Sequence, residues 1–436
     1  MNLKVKLHTA VFFLLAISLL TILRVSYFFL YPFIVFLTLY LFRFSLSRNF
    51  IILCLLILAG WFLSLRHSFY PMYNLLSLFY VLPFIMFIYS RPQQRVSEND
   101  LVESFLNVTS VIMVMNNIVG YFQFYFFIDP SIPQDDNFLG LFGDYSLGCN
   151  GLVIVNSILS YYYWKKYQAT KFRKYLLYTI FFFVSAFHGF YGAGMIVLVI
   201  AFLFSEVRLT VGRMIKAVVI MTALIFSAYW LNYFTNPKAL EYNQKVIKRF
   251  VDFNAANIPR KLLAFYNYGS GYSQDPVDFL LGSGPGTFNS RSAFLVGSPT
   301  YGKMQFLKSD SQPYYFKYYA YTLWNPANTV RYQDGFMNQP FSSMLSFLGE
   351  YGLIITAIIF FGIWHNYKSV KQLSVYAQKG SQGKIYASLY KFLTVYLIAF
   401  LILDNFLELP EIIFFILFTL KLIEAYYCRY IIGKEA

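Results

Sequence analysis

Apolar residues run along this chain in continuous stretches, not in alternation. The stretches cover 8–23, 25–42, 50–65, 72–90, 105–128, 147–163, 175–188, 190–204, 217–233, 343–365, 389–408 and 410–427, with short polar connections between most of them. A helix needs about 20 apolar residues to cross a bilayer, and only helices and closed barrels satisfy their own backbone in lipid. Barrel strands would alternate apolar and polar positions. The pattern therefore predicts an all-α polytopic membrane protein with about twelve transmembrane helices. Segment 175–204 is short for two crossings. Two are still expected, meeting near His188-Gly189-Phe190-Tyr191-Gly192, because both flanks are basic and a single crossing would leave one basic cluster outside.

Charge sets the orientation. The chain is 58% hydrophobic, 22% aromatic and 13% charged, about half the charged content of an ordinary soluble domain. With Lys4 and Lys6 placed inside, the inside connections carry Arg43 and Arg48, Arg91 and Arg95, Lys165 to Lys174, Arg208 to Lys216, and Lys368 to Lys384. The short outside connections carry only Arg24 and Arg66, and 129–146 is acidic. This positive-inside pattern places both termini in the cytoplasm. It also accounts for the net charge of +15 without nucleic acid. The first apolar run lacks a small-residue cleavage site and is expected to be a retained helix. Cys54, Cys149 and Cys428 are scattered, so no disulfide framework is expected.

Three regions follow: helices one to nine in 1–233, a large outer loop at 234–342, and helices ten to twelve with a cytoplasmic tail in 343–436. The loop carries eleven basic against six acidic residues, a net +5. Arginine pairs phosphate through two parallel hydrogen bonds, so the loop's Arg residues suit a lipid-linked diphosphate. Residues 313–324, PYYFKYYAYTLW, suit either a platform for sugar rings or an aromatic anchor at headgroup depth. Residues 278–288, DFLLGSGPGTF, form a tight turn with backbone N–H groups able to cradle an anion. No Lys-Ser/Thr follows, so it is not a phosphate-binding loop of the nucleotide-binding kind. No His/Cys cluster has metal-ligand spacing, so neither a metal nor a cofactor is expected. The pair Asp135-Asp136 has no counterpart in the first outer loop, which argues against a metal-dependent glycosyltransferase.

Several segments, in order, resemble the O-antigen polymerase and O-antigen ligase superfamily of bacterial membrane glycosyltransferases. Gly140-Leu141-Phe142-Gly143 precedes a helix as the family's "GLFG" does. Ser185 and His188-Gly189 are similar to a hairpin that usually reads Ser-Arg-Gly. LGSGPGTF at 281–288 is similar to the family's "GxGxGxF" turn. Asn338, with FLGEYGL at 347–353, resembles the segment where the loop re-enters the membrane. Two departures stand out: His188 replaces the usual Arg, and Met337 stands where many members have His. The loop has no histidine at all, which favours polymerase over ligase.

The resemblance implies a bacterial inner-membrane polymerase of O-antigen, capsule or exopolysaccharide. It would join undecaprenyl-diphosphate-linked oligosaccharides at the outer leaflet by glycosyl transfer, without a metal. A flippase and a chain-length regulator are the partners that such a pathway implies. Arg260, Arg291 and Glu350 are the expected catalytic residues: the two Arg clamp the diphosphate, and Glu350 acts as a base or orients an Arg. Lys261, Arg331, His188, Asn338 and Asp334 are expected to contact substrate, and Gly282, Gly284 and Gly286 to shape the turn that places Arg291. The alternatives are an O-antigen ligase-type transferase and a non-enzymatic flippase or exporter. Asp404 and Glu408, near the outer end of a late helix, are the main charges that a transporter would use.

Overall fold

The computed structural model describes residues 11–15, 24–92, 101–127, 138–142, 148–189, 192–206, 258–299, 305–324, 340–375 and 382–435, with isolated positions between 219 and 248. The expected spans 8–23 and 217–233 lie largely outside these residues, as do the acidic residues of 129–146.

The described chain is mostly helical. Helices α1 (Arg24–Leu41), α2 (Arg48–Ser64), α3 (Pro71–Tyr89), α4 (Leu101–Phe126), α5 (Gly148–Thr170), α6 (Arg173–His188) and α7 (Gly192–Glu206) fall on successive apolar runs. After the loop come α11 (Ser343–Ser374), α12 (Gln382–Leu403) and α13 (Pro410–Glu435). Four of these, α3, α4, α11 and α12, are long and apolar enough on their own to cross a membrane. The short segment 173–206 does form two helices, α6 and α7.

Residues 412–420 are almost wholly apolar, and α13 accordingly occupies the centre of the bundle, where its Lys421 pairs with Glu424 at 2.6 Å. It packs on α1, α3, α4, α5, α11 and α12, with Ile412 to Phe418 all buried. Helices α1 and α2 instead expose Phe33, Phe36, Ile51, Leu55 and Phe62. Such contiguous apolar surface marks contact with lipid or protein.

One departure from an all-helical chain is a small antiparallel ribbon. Strand β1 (Phe44–Leu46) pairs with β2 (Ser90–Pro92), Ser45 opposite Arg91. Both strands lie in connections that charge assigns to the inside. Arg66 stands at the other end of α2, whose 17 residues rise about 25 Å. Connections assigned to opposite faces therefore lie at opposite ends of a helix.

The loop has its own structure. It contains α8 (Arg260–Tyr272), α9 (Pro276–Leu281), α10 (Arg291–Gly297) and a π-helical turn at Phe316–Ala320. Asp275 caps α9, accepting from the Val277 and Asp278 amides at 2.9 and 3.3 Å, and Pro276 fixes its first turn. Ser290 caps α10 through the Ala293 amide at 3.1 Å. A second core joins these pieces: Tyr268, Tyr272, Phe288, Phe294, Tyr315, Phe316, Trp324 and Phe341 pack together against Tyr73 at the start of α3. The aromatic run 313–324 thus serves mainly as core. Of its aromatics, Tyr314 and Tyr318 are left largely exposed.

Candidate functional site

The loop meets the helix ends through three polar clusters. The first is built on the glycine turn. Gly282, Gly284 and Gly286 all have positive φ. At Gly282 a Cβ would overlap the Glu350 backbone, and at Gly286 the Tyr73 backbone. Only glycine permits both the φ and the approach. The turn does gather amide donors round an anion, and the anion is Glu350. Its carboxylate accepts from the amides of Gly286 at 2.6 Å, Ser290 at 3.0 Å and Phe288 at 3.3 Å, and from the Ser77 hydroxyl at 3.1 Å. Glu350 lies in a π-helical turn, Phe347–Tyr351, inside α11 and is 1% exposed. The turn is further tied by Ser283 N to Gly349 O at 2.8 Å and by the Asn74 amide to Pro285 O at 2.7 Å. With these donors turned inward, Glu350 holds the turn in place. That geometry differs from the base role expected of it, because its oxygens face loop amides and not an opening.

The second cluster lies at the end of α12. The Arg291 side chain is 11% exposed. Its Nε donates to the Asn405 carbonyl at 3.0 Å, its guanidinium is 3.6 Å from Asp404, and its carbon lies 5.2 Å over the Phe341 ring. Lys261, also buried, donates to the Leu403 carbonyl and stands 4.0 Å from the same Asp404 carboxylate. The Arg291 and Ser292 amides and the Ser292 hydroxyl donate to Glu408. Two loop cations thus share one carboxylate, and α10 starts on a second. A buried pair on this pattern holds elements in register, since removing one member strands the other charge. Helix α12 ends at Leu403, before the expected 408, and Asp404 to Glu408 turn to receive the loop through Asn405 and Glu408 and the head of α11 through the Asp404 carbonyl, which accepts from Ser343 N at 3.1 Å. Arg260, one residue before Lys261, is half-buried and has no ion-pair or hydrogen-bond partner among the described residues. Of the two expected clamp arginines, Arg291 is engaged by the end of α12, and Arg260 has no such partner among the described residues.

The third cluster joins the α2–α3 connection to α9. Arg66 lies 2.5 Å from Asp278 and 3.0 Å from Asp275. His67 Nε2 lies 2.8 Å from Asp278, and the Tyr315 hydroxyl donates to that carboxylate at 2.8 Å. Burial lowers the Arg66 pKa, but Asp278 and Asp275 outweigh it and hold the guanidinium above its ordinary value. Burial raises the Tyr315 hydroxyl, and Asp278 raises it further. Donor atoms of His67, Asp275 and Asp278 lie within 4.8 Å of one another, close enough to hold a metal ion. The Arg66 guanidinium already stands among them as the cation.

His188 lies elsewhere. It is buried among Tyr121, Phe124, Tyr125 and Phe138, with Nε2 3.0 Å from the Tyr125 hydroxyl and Nδ1 2.9 Å from the Val184 carbonyl. These contacts account for a structural histidine at the end of α6. The expected contacts Arg331, Asp334 and Asn338 lie outside the described residues.

Sequence reasoning passed over Asp278 and His67. Asp278 opens the very segment read as a glycine turn, and a carboxylate one helical turn before Gly282 is the signal that was there to use. His67 had no sequence neighbour to mark it. No family model matches the chain, and no curated protein matches it.

Proposed function

We propose that this protein joins undecaprenyl-diphosphate-linked oligosaccharides into a surface polysaccharide at the outer face of a bacterial inner membrane. The setting of Arg260 carries the reading. Lys261 fixes the start of α8 to Leu403 and Asp404 at the end of α12. Arg260 is thereby held at a helix end, with a guanidinium that no described residue neutralises. A guanidinium so placed suits the diphosphate of a lipid-linked glycan. The chemistry is glycosyl transfer: a sugar hydroxyl on one unit attacks the anomeric carbon of another, and undecaprenyl diphosphate leaves. Arg291, Lys261 and Glu350 act as positioning residues, holding α10, α8 and the glycine turn against the membrane helices.

Deletion of the gene, followed by gel analysis of surface glycan, tests the reading. A polymerase leaves a single repeat unit in place of the ladder. A ligase leaves long chains on undecaprenyl diphosphate, and a flippase leaves units trapped inside. Either of those results overturns the proposal.

A further inference from the structure

The loop contains no histidine, but the fold brings one to it. His67, in the α2–α3 connection, reaches Asp278, which lies 211 residues further along the chain. The Asp278 carboxylate is 1% exposed, whereas the His67 side chain is 35% exposed. At 2.8 Å, His67 Nε2 must carry the proton, because a carboxylate only accepts. Arg66 Nε lies 3.2 Å from the same nitrogen. That Nε–H is directed at the nitrogen and competes with the Asp278 bond; the charge-assisted bond to the carboxylate is the shorter and stronger, so with Nε2 protonated the guanidinium turns to Asp278 and Asp275. Asp278 thus fixes the tautomer and leaves Nδ1 as a lone pair, without a partner among the described residues. The Tyr315 ring stands edge-on to the imidazole at 6.2 Å, its hydroxyl donates to the same Asp278 oxygen as His67 does, Oδ2, and Arg66 holds the other, Oδ1. The charged and titratable groups at hand are Arg66, Asp275, Asp278 and Tyr315.

An imidazole held by a buried carboxylate, with its other nitrogen open, is built to take a proton. We infer that His67 is the general base of this protein and that Asp278 is its positioning residue; the inference rests on the polymerase reading. As the acceptor hydroxyl oxygen bonds to the anomeric carbon of the donor glycan, the bond from that carbon to the phosphate oxygen breaks. Its electron pair leaves on undecaprenyl diphosphate. The hydroxyl proton passes to His67 Nδ1, Asp278 balances the imidazolium, and the proton then goes to water. Helix α8 runs from Arg260 to Tyr272, which stacks on Tyr315 at 4.1 Å. Its 13 residues rise about 18 Å, so Arg260 and the His67 cluster stand at opposite ends of α8.

The test uses the full chain in proteoliposomes and lipid-linked repeat units extracted from the deletion strain. His67→Gln keeps an N–H for Asp278 but has no basic nitrogen. The expected result is normal accumulation in the membrane with joining slowed at least about 100-fold. Joining within a few-fold of the unmodified protein overturns the inference. If His67→Gln does not accumulate, His67→Ala is assayed with added imidazole: restored joining supports the base, and no restoration overturns it. If the unmodified protein joins no units, the polymerase reading itself falls, an outcome distinct from failure of His67 alone.

Discussion

The Glu350 carboxylate accepts a hydrogen bond from the Gly286 amide at 2.6 Å, across 64 residues of chain. The contact runs from a π turn at the head of α11 to the middle of the glycine turn. It ties the loop to the helix bundle with a charge that the turn's own amides satisfy.

That relationship predicts the cost of losing it. Glu350→Ala leaves at least three buried amides without an acceptor, each worth about 1–3 kcal/mol. The variant should melt well below the unmodified protein in detergent and accumulate poorly in membranes. Glu350→Gln should fall between the two, since one oxygen remains to accept. Fluorescence-detected size exclusion after heating measures both.

The turn's glycines give a matched pair. Gly286→Ala meets the Tyr73 backbone at positive φ, with about 1–2 kcal/mol from the backbone conformation alone and more from the clash. Gly269, within α8, has nothing within 4 Å of a Cβ, so Gly269→Ala should be neutral or stabilising by roughly 0.5–1 kcal/mol. Melting curves of the two variants should move in opposite directions or differ sharply.

Asp404 serves two buried cations, and its removal should be costly. Asp404→Asn strands Lys261 and Arg291 and is expected to lose about 3–5 kcal/mol. Adding Lys261→Met to Asp404→Asn should recover part of that loss, because one stranded charge goes with it. A double-mutant cycle on thermal stability reads the coupling.

Sidedness is testable with single cysteines in a chain whose own cysteines are replaced. Ser270→Cys, exposed on α8, should react in intact cells with a maleimide that cannot cross the membrane. Gln372→Cys, exposed near the end of α11, should react only after the membrane is opened. Labelling of Gln372→Cys alone in intact cells would reverse the orientation.

The membrane helices were legible because an apolar run long enough to cross a bilayer has few other uses. The split of 173–206 into α6 and α7 followed from charge alone. The glycine turn was legible as a cradle of amides, but the anion it holds was not, because Glu350 lies on another helix and sequence carries no distance. The same is true of Arg66 and His67 with Asp278. Residues 313–324 misled for a different reason: a π turn changes the helical period, so Tyr315 and Phe316 go inward while Tyr314 and Tyr318 go outward. Alternation of that kind has no signature in a run where nearly every residue is aromatic.

Arg260→Ala tests the central claim most directly. Expressed in the deletion strain at the unmodified protein's level, it should leave surface glycan as a single repeat unit or a few short bands on a gel, with a full ladder restored only by the unmodified protein. A full ladder from Arg260→Ala would contradict the claim that this guanidinium holds the lipid-linked diphosphate.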